Sequence, residues 1–186
     1  EIYEKAELSV DDHKFLMASC KEFGIEFMSS AFSIPDAQLL VDLGCNKVKI
    51  PSFEVANYEL LNFCKTNFEI VYVSTGTANA TEIQKLADLF ENFEGDLIVM
   101  HCVSAYPFDD GMANLNLIKA MREKYNCKVG YSGHEKGGLA ISVAAVALGA
   151  TSIERHVTVD RTIYGSDQAA SLTPDGFKNL VKAIRK

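Results

Sequence analysis

Two kinds of segment alternate along this chain. Short apolar runs rich in β-branched residues, at 26–30, 47–50, 69–74, 97–102, 128–132 and 152–157, are separated by longer stretches of helical period. Matched points on these predicted strands lie roughly 20 to 30 residues apart, the length of one βα unit. Strict alternation of this kind demands a parallel sheet covered by helices. No low-complexity run or Pro/Gly/Ser linker interrupts it, so the sequence reads as one domain.

The helical stretches carry start and stop signals. Ser9 caps an amphipathic run that ends near Gly24. Pro35 suits a first helical turn and Gly44 the end of that helix. Further helices are predicted from about Thr81, with Ile83, Leu86 and Phe90 on one face, and from about Asn114. The Ala- and Val-rich stretch 139–148 is stopped by Gly149, and the last helix spans 174–184.

With 186 residues, 48% of them hydrophobic, the chain can bury one sizeable core. A net charge of −7 argues against a nucleic-acid or membrane-surface binder but leaves room for a local cluster that holds a phosphorylated small molecule. The apolar stretches at 97–100 and 143–148 are too short to cross a bilayer, and no signal-peptide pattern opens the chain. The expected location is cytoplasmic. Five widely spaced cysteines at 20, 45, 64, 102 and 127, with no CxxC pair, read as free thiols and small buried hydrophobes, not as a disulfide framework or zinc site.

Two architectures accept the pattern, an open doubly wound sheet and a (β/α)8 barrel. Polar residues close nearly every predicted strand: Ser29 and Ser30, Lys49 and Ser52, Ser74 and Thr75, His101, Ser132 and His134, Glu154 and His156. A barrel gathers such residues on one rim, whereas an open sheet concentrates them at one switch point. No GxGxxG or GxxxxGK motif is present. The barrel is preferred, with six of its eight βα units expected here.

His134 and His156 end consecutive predicted strands, and two neutral imidazoles on one rim suit a divalent transition ion. Lys49 with Ser30, Ser52, Ser74, Thr75 and Ser132, together with backbone N–H groups near Gly76, can form a small-anion cradle. Each of these taken alone is equally a turn or cap residue. Gly137-Gly138 can bring backbone donors to a ligand or simply permit a turn, and Tyr106 can line a pocket or anchor a loop. Asp167 can orient sugar hydroxyls or lie in solvent. His13 and the run 122–124 read as solvated helix faces.

Ordered motifs then carry a resemblance. They are Lys-Ile-Pro-Ser at 49–52 with Glu54, Ser-Thr-Gly at 74–76, His-Cys-Val-Ser-Ala-Tyr-Pro at 101–107, Asn-Leu-Asn at 114–116 and Val-Gly-Tyr-Ser-Gly-His at 129–134. Ala-Val-Ala-Leu-Gly-Ala at 145–150, Ile-Glu-Arg-His-Val-Thr-Val-Asp-Arg at 153–161 and Gly-Ser-Asp-Gln-Ala-Ala-Ser-Leu at 165–172 follow. Over essentially its whole length the chain resembles the sialic acid synthase family, the N-acetylneuraminate synthases and their legionaminate and pseudaminate relatives.

The resemblance implies a (β/α)8 barrel enzyme that condenses phosphoenolpyruvate with an N-acylated aldose such as N-acetylmannosamine. The products are phosphate and a nine-carbon α-keto sugar acid. It implies Mn2+, or Mg2+ or Co2+, on His134 and His156, and phosphoenolpyruvate on Lys49, Ser52, Ser74, Ser132 and Ser30. It places Glu54 near the reacting centre for proton traffic and Tyr106 and Asp167 at the sugar, and it implies a homodimer.

Departures from the family pattern are Gly133, where another pattern has Asp, and Gln168, where histidine is usual. The family's first two strands and its C-terminal antifreeze-like domain have no counterpart, so Glu1 would enter just after the second strand and the sequence would be part of a longer product. The rival readings are another phosphoenolpyruvate-dependent 3-deoxy-keto-acid synthase, which would need extra arginines near the rim, and a non-catalytic piece that keeps only ligand binding.

Overall fold

A computed structural model describes residues 7–137 and 139–186. Helix α1 (Val10–Glu22) starts where the sequence places it. The Ser9 side chain accepts from the Asp12 amide while the Asp12 carboxylate accepts from the Ser9 amide, satisfying two first-turn donors at once. Helix α2 (Ile34–Asp42) is capped by Ser33 and carries Pro35 in its first turn. Gly24 and Gly44 follow these helices with φ of 67° and 79°, the left-handed turn that terminates a helix at least cost in glycine.

Strand β1 (Lys47–Ile50), helix α3 (Tyr58–Asn67), strand β2 (Ile70–Ser74), helix α4 (Ala80–Leu89) and strand β3 (Asp96–Cys102) then alternate. Helix α5 (Asn116–Tyr125), strand β4 (Lys128–Gly133), helix α6 (Ala140–Ala147), strand β5 (Ile153–Arg155) and helix α7 (Pro174–Ile184) complete the described residues. Helix α4 begins one residue before Thr81 and is capped by Asn79, whose side chain accepts from the Thr81 and Glu82 amides. Helix α3, capped by Asn57, has no counterpart among the sequence expectations.

All strand pairs are parallel and in sequence order, β1-β2-β3-β4-β5. The sheet therefore has five strands. The stretch 26–30, expected as a further strand, reaches it only at Ser30, which bridges Lys49. Two hydrogen bonds, Ala31 N–H to Lys49 O and Lys49 N–H to Ser29 O, hold it there. With a neighbour on one side only among the described residues, and Met28 partly exposed, it gains too few ladder bonds to extend. The expected strand at 152–157 is also shorter, because His156 O and Thr158 N–H turn to Leu172. The result is a parallel α/β half-barrel, consistent with part of a (β/α)8 barrel.

Strand alternation splits the side chains into two layers. Val48, Ile50, Val71, Val73, Val99, Val129 and Tyr131 are buried against Leu40, Leu60, Leu61, Leu86, Ile118 and Ala145 of the helices. Lys49, Tyr72 and Met100 face the concave side, whereas Ile153, paired with Tyr131, packs against the helix-facing core. His101 belongs to the buried outer layer, opposite Tyr131 in the register, and its Nε2–H donates to Ala113 O at 2.8 Å. The strand's period thus removes His101 from the rim where the sequence reading put it. All five cysteines are free, and burial raises the Cys64 thiol to about 12, in keeping with its packing role. No helix among the described residues is long and apolar enough to cross a membrane.

Candidate active site

The C-terminal ends of the strands converge on a cavity of about 680 Å³. β1 brings Lys49 to its wall, the turn after β1 brings Ser52, and β2 brings Ser74. β4 brings Ser132 and, just past its end, His134, while β5 brings Glu154 and then His156. Ser30 arrives through its bridge to Lys49, and Tyr106 from the loop after β3. At the opposite end of the sheet a concavity of about 630 Å³, lined by Asp88, Phe93, Asp96, Lys124 and Lys128 among others, contains no histidine or serine.

Lys49 is nearly buried, and its Nζ lies 3.3 Å from the Glu154 carboxylate. This ion pair joins the two edge strands across the mouth of the half-barrel. The Ser52 hydroxyl accepts from the Gly76 amide at 3.0 Å, so that amide serves the loop and not an anion. Thr75 is likewise structural, its hydroxyl donating to Met100 O at 3.0 Å. Gly76 has no room for a side chain: a Cβ there would sit 2.3 Å from Ser104 Oγ and 2.9 Å from Cys102 Sγ. The groups left to form the expected anion cradle are thus Lys49 and the serine hydroxyls.

His134 Nδ1 lies 2.8 Å from Val103 O, which can only accept, so Nδ1 carries the proton and Nε2 keeps its lone pair. Burial pushes the His134 pKa below its ordinary value, which keeps the ring neutral. Tyr106 stacks on this ring at 3.9 Å between centroids, and the His156 ring lies 5.3 Å from it. Burial, then the nearby Cys102, Asp167 and Glu154, raises the Tyr106 pKa, so its hydroxyl stays protonated. Two imidazoles on one wall would suit a divalent ion only with oxygens of substrate and water completing its shell. Among the described residues no group of three or more His, Cys, Asp or Glu is arranged to hold a metal.

Two expected site residues stand apart from the cavity wall. Glu54 lies in the turn that follows β1, where its carboxylate accepts from the Asn57 side chain at 2.8 Å. Asp167 backs His156, with Oδ2 3.9 Å from Nδ1. Of the Gly137-Gly138 pair, Gly138 lies outside the described residues, as does Glu1. The wall also includes Phe32, Phe53, Thr77, Cys102 and Ser104, which the sequence reading did not assign to it. Cys102, as the last residue of β3, was open to the same strand-end argument that found Ser74.

A parallel half-barrel with a lysine, several serines and two imidazoles on the C-terminal rim defines a class of barrel proteins whose site lies at the strand ends. The NeuB family model matches residues 1–186, and the chain belongs to that family. An N,N'-diacetyllegionaminic acid synthase of Legionella pneumophila is 34% identical over 190 residues, covering 100% of this chain and 53% of the relative. An N-acetylneuraminate-9-phosphate synthase of Drosophila melanogaster is 38% identical over 184 residues, covering 97% of this chain and 49% of the relative. The crystal structure of N-acetylneuraminic acid (sialic acid) synthetase from Leptospira borgpetersenii superposes with a TM-score of 0.92 at 35% identity, covering 98% of this chain and 64% of that one. The chain spans about half the length of the curated relatives it matches.

Proposed function

We propose that the protein to which this chain belongs is a sialic-type acid synthase. It joins C3 of phosphoenolpyruvate to the aldehyde carbon of an N-acylated aldose, N-acetylmannosamine or a related deoxy sugar. Water adds at C2 of the phosphoenolpyruvate unit, and phosphate leaves to give the α-keto acid. The observation that carries this reading is the convergence of Lys49, Ser52, Ser74 and Ser132 with His134 and His156 on one cavity. An anion cradle thus faces a pair of imidazoles, as a two-substrate condensation needs.

In this reading Lys49 and the hydroxyls of Ser30, Ser52, Ser74 and Ser132 hold the phosphate and carboxylate of phosphoenolpyruvate. His134 and His156 hold a divalent ion, Mn2+ or Mg2+ or Co2+. When bound, that ion supplies Lewis-acid polarisation of the sugar aldehyde. Tyr106, stacked on His134, borders the sugar, while Asp167 steadies His156 from behind. Glu54 is assigned the proton traffic at the reacting centre. Its present bond to Asn57 must be exchanged for that role. The whole protein is further proposed to be a cytoplasmic homodimer.

A phosphosugar acceptor, as in the 3-deoxy-keto-acid synthases, is disfavoured by the arginines. Arg155 lines the cavity but its guanidinium donates to Glu135, Ser142 and Ala170, and Arg161 donates to Ala169. The test is phosphate release from phosphoenolpyruvate with N-acetylmannosamine and Mn2+ in the whole protein. Turnover is expected, and the His134→Ala, His156→Ala double variant is expected to abolish it. Phosphate release undiminished in that variant overturns the metal assignment. No release with any N-acylated aldose overturns the synthase reading and favours a binding module.

A further inference from the structure

Behind the two histidines lies a polar cluster that the reaction does not use. Glu135 follows His134, and Arg155 precedes His156. Both side chains are fully buried and form an ion pair, Nη1 donating to Oε1. Nη2 donates to Glu135 O at 2.9 Å and to Ala170 O at 3.3 Å. The Tyr131 hydroxyl donates to the other carboxylate oxygen at 2.9 Å, and Ser142 of α6 lies within 3.4 Å of Oε1.

The cluster owes its position to strand alternation. Ser132, His134, Glu154 and His156 line the cavity, whereas Tyr131 and Glu135 are buried on the opposite, helix-facing side with the Arg155 guanidinium. The last ladder pair between β4 and β5 is Gly133 with Arg155. His134 and His156 therefore stand just beyond the point where backbone pairing between their strands ends. Past that point the tie between the two strand ends is the Glu135–Arg155 pair, and it reaches α6 and the loop before α7 as well. Gly133 accommodates it: a Cβ there would lie 2.5 Å from Glu135 Oε2, 2.8 Å from Tyr131 Cε1 and 3.1 Å from Arg155 Cδ.

A buried ion pair is weak evidence for stability, because desolvation offsets most of its attraction. The number of bonds that hold it is better evidence of a positioning role, since ligand imidazoles depend on the groups behind them for orientation. We propose that the Glu135–Arg155 pair is the positioning element that fixes His134 and His156 relative to one another. The proposal rests on the reading of those histidines as the working imidazoles of the site.

The test compares Arg155→Lys and Tyr131→Phe in the whole protein. Lysine keeps the charge but, as a single ammonium, cannot reproduce the guanidinium fork to Glu135 and the two carbonyls. Tyr131→Phe removes one hydrogen bond to Glu135 and keeps the ring, which guards against failure to fold. The first readout is the 15N spectrum of the histidine rings, needing neither metal nor substrate. In the unaltered protein His134 is expected as one neutral Nδ1–H tautomer. Arg155→Lys is expected to mix or broaden the His134 and His156 signals, and Tyr131→Phe to shift them less in the same direction. The second readout is phosphate release, with turnover expected to fall about 10- to 100-fold in Arg155→Lys and KM for phosphoenolpyruvate little changed. Ring signals at their unaltered positions in both variants overturn the proposal. If the signals move but the His134→Ala, His156→Ala variant still turns over, the reading of the histidines falls and the positioning role stands.

Discussion

Lys49 and Glu154 come from opposite edges of the sheet, and their 3.3 Å contact places a carboxylate on the ammonium that the proposed function assigns to an anion. If the proposed synthase reading holds, phosphoenolpyruvate competes with Glu154 for the ammonium. Replacing Lys49 by Met removes a charge-assisted hydrogen bond of about 1.5–3 kcal/mol, and the Kd for phosphoenolpyruvate by calorimetry is expected to rise about 10- to 150-fold. The two buried histidines make a second prediction. His101 and His134 both have pKa values depressed from 6.5 by burial. The unfolded chain thus binds more protons as pH falls below about 6.5, so stability is fully present above that value and declines below it until the depressed folded values are passed. The slope is at most about 1.4 kcal/mol per pH unit for each histidine. Melting temperature should fall between pH 7.5 and pH 5.5, and His101→Asn should flatten part of that fall. A flat profile in the unaltered protein would contradict the assignment of neutral buried rings.

Among the elements, two glycines show how closely neighbouring strands approach. A Cβ on Gly95, just before β3, would lie 2.1 Å from the backbone oxygen of Glu69. A Cβ on Gly130 in β4 would meet the flexible end of Met100 at 2.3 Å. Backbone cannot yield as a thioether can. Gly95→Ala is expected to cost about 1–3 kcal/mol or more by urea denaturation, and Gly130→Ala less. The sequence made the elements legible wherever period and punctuation agreed, as at Ser9, Pro35, Gly44 and the 174–184 helix. It misled at 26–30, where strand-like residues lack a partner on one side, a property of the sheet and not of the segment. The strand-end argument also brought Lys49, Ser74, Ser132, His134 and His156 together, and period 2 supplies the reason that these strand-end side chains share the cavity. Glu54 and Asp167 sit in turns, where no period fixes side-chain direction, and the structure places both off the cavity wall. His101 shows the same rule applied too loosely, since a residue near a strand end belongs to whichever layer its parity dictates.

For the molecule as a whole, β1 and β5 are the margins of the sheet among the described residues; an isolated bridge, Ser30 to Lys49, flanks β1, and another, Val157 to Leu172, lies just past the end of β5. Phe15, Phe23 and Ile25 are also more than 60% exposed. Open margins and apolar surface invite association. Residues 1–186 expressed alone are expected to elute well above 20.4 kDa in size-exclusion chromatography with light scattering. A monodisperse 20.4 kDa species would show that the margins are adequately protected. The two-layer register also governs which genetic changes this scaffold can absorb. A point substitution at Ser132 or Glu154 alters the cavity and leaves the outer layer in place. Inserting or deleting one codon in β4 reverses the parity of the rest of that strand and the residues just past its end. The imidazole of His134 would then turn toward the helices, and the Glu135 carboxylate, parted from Arg155, would turn into the cavity. Such a lineage can revise its substrate by substitution, residue by residue, but a frame-preserving indel within a strand would exchange its site for its core.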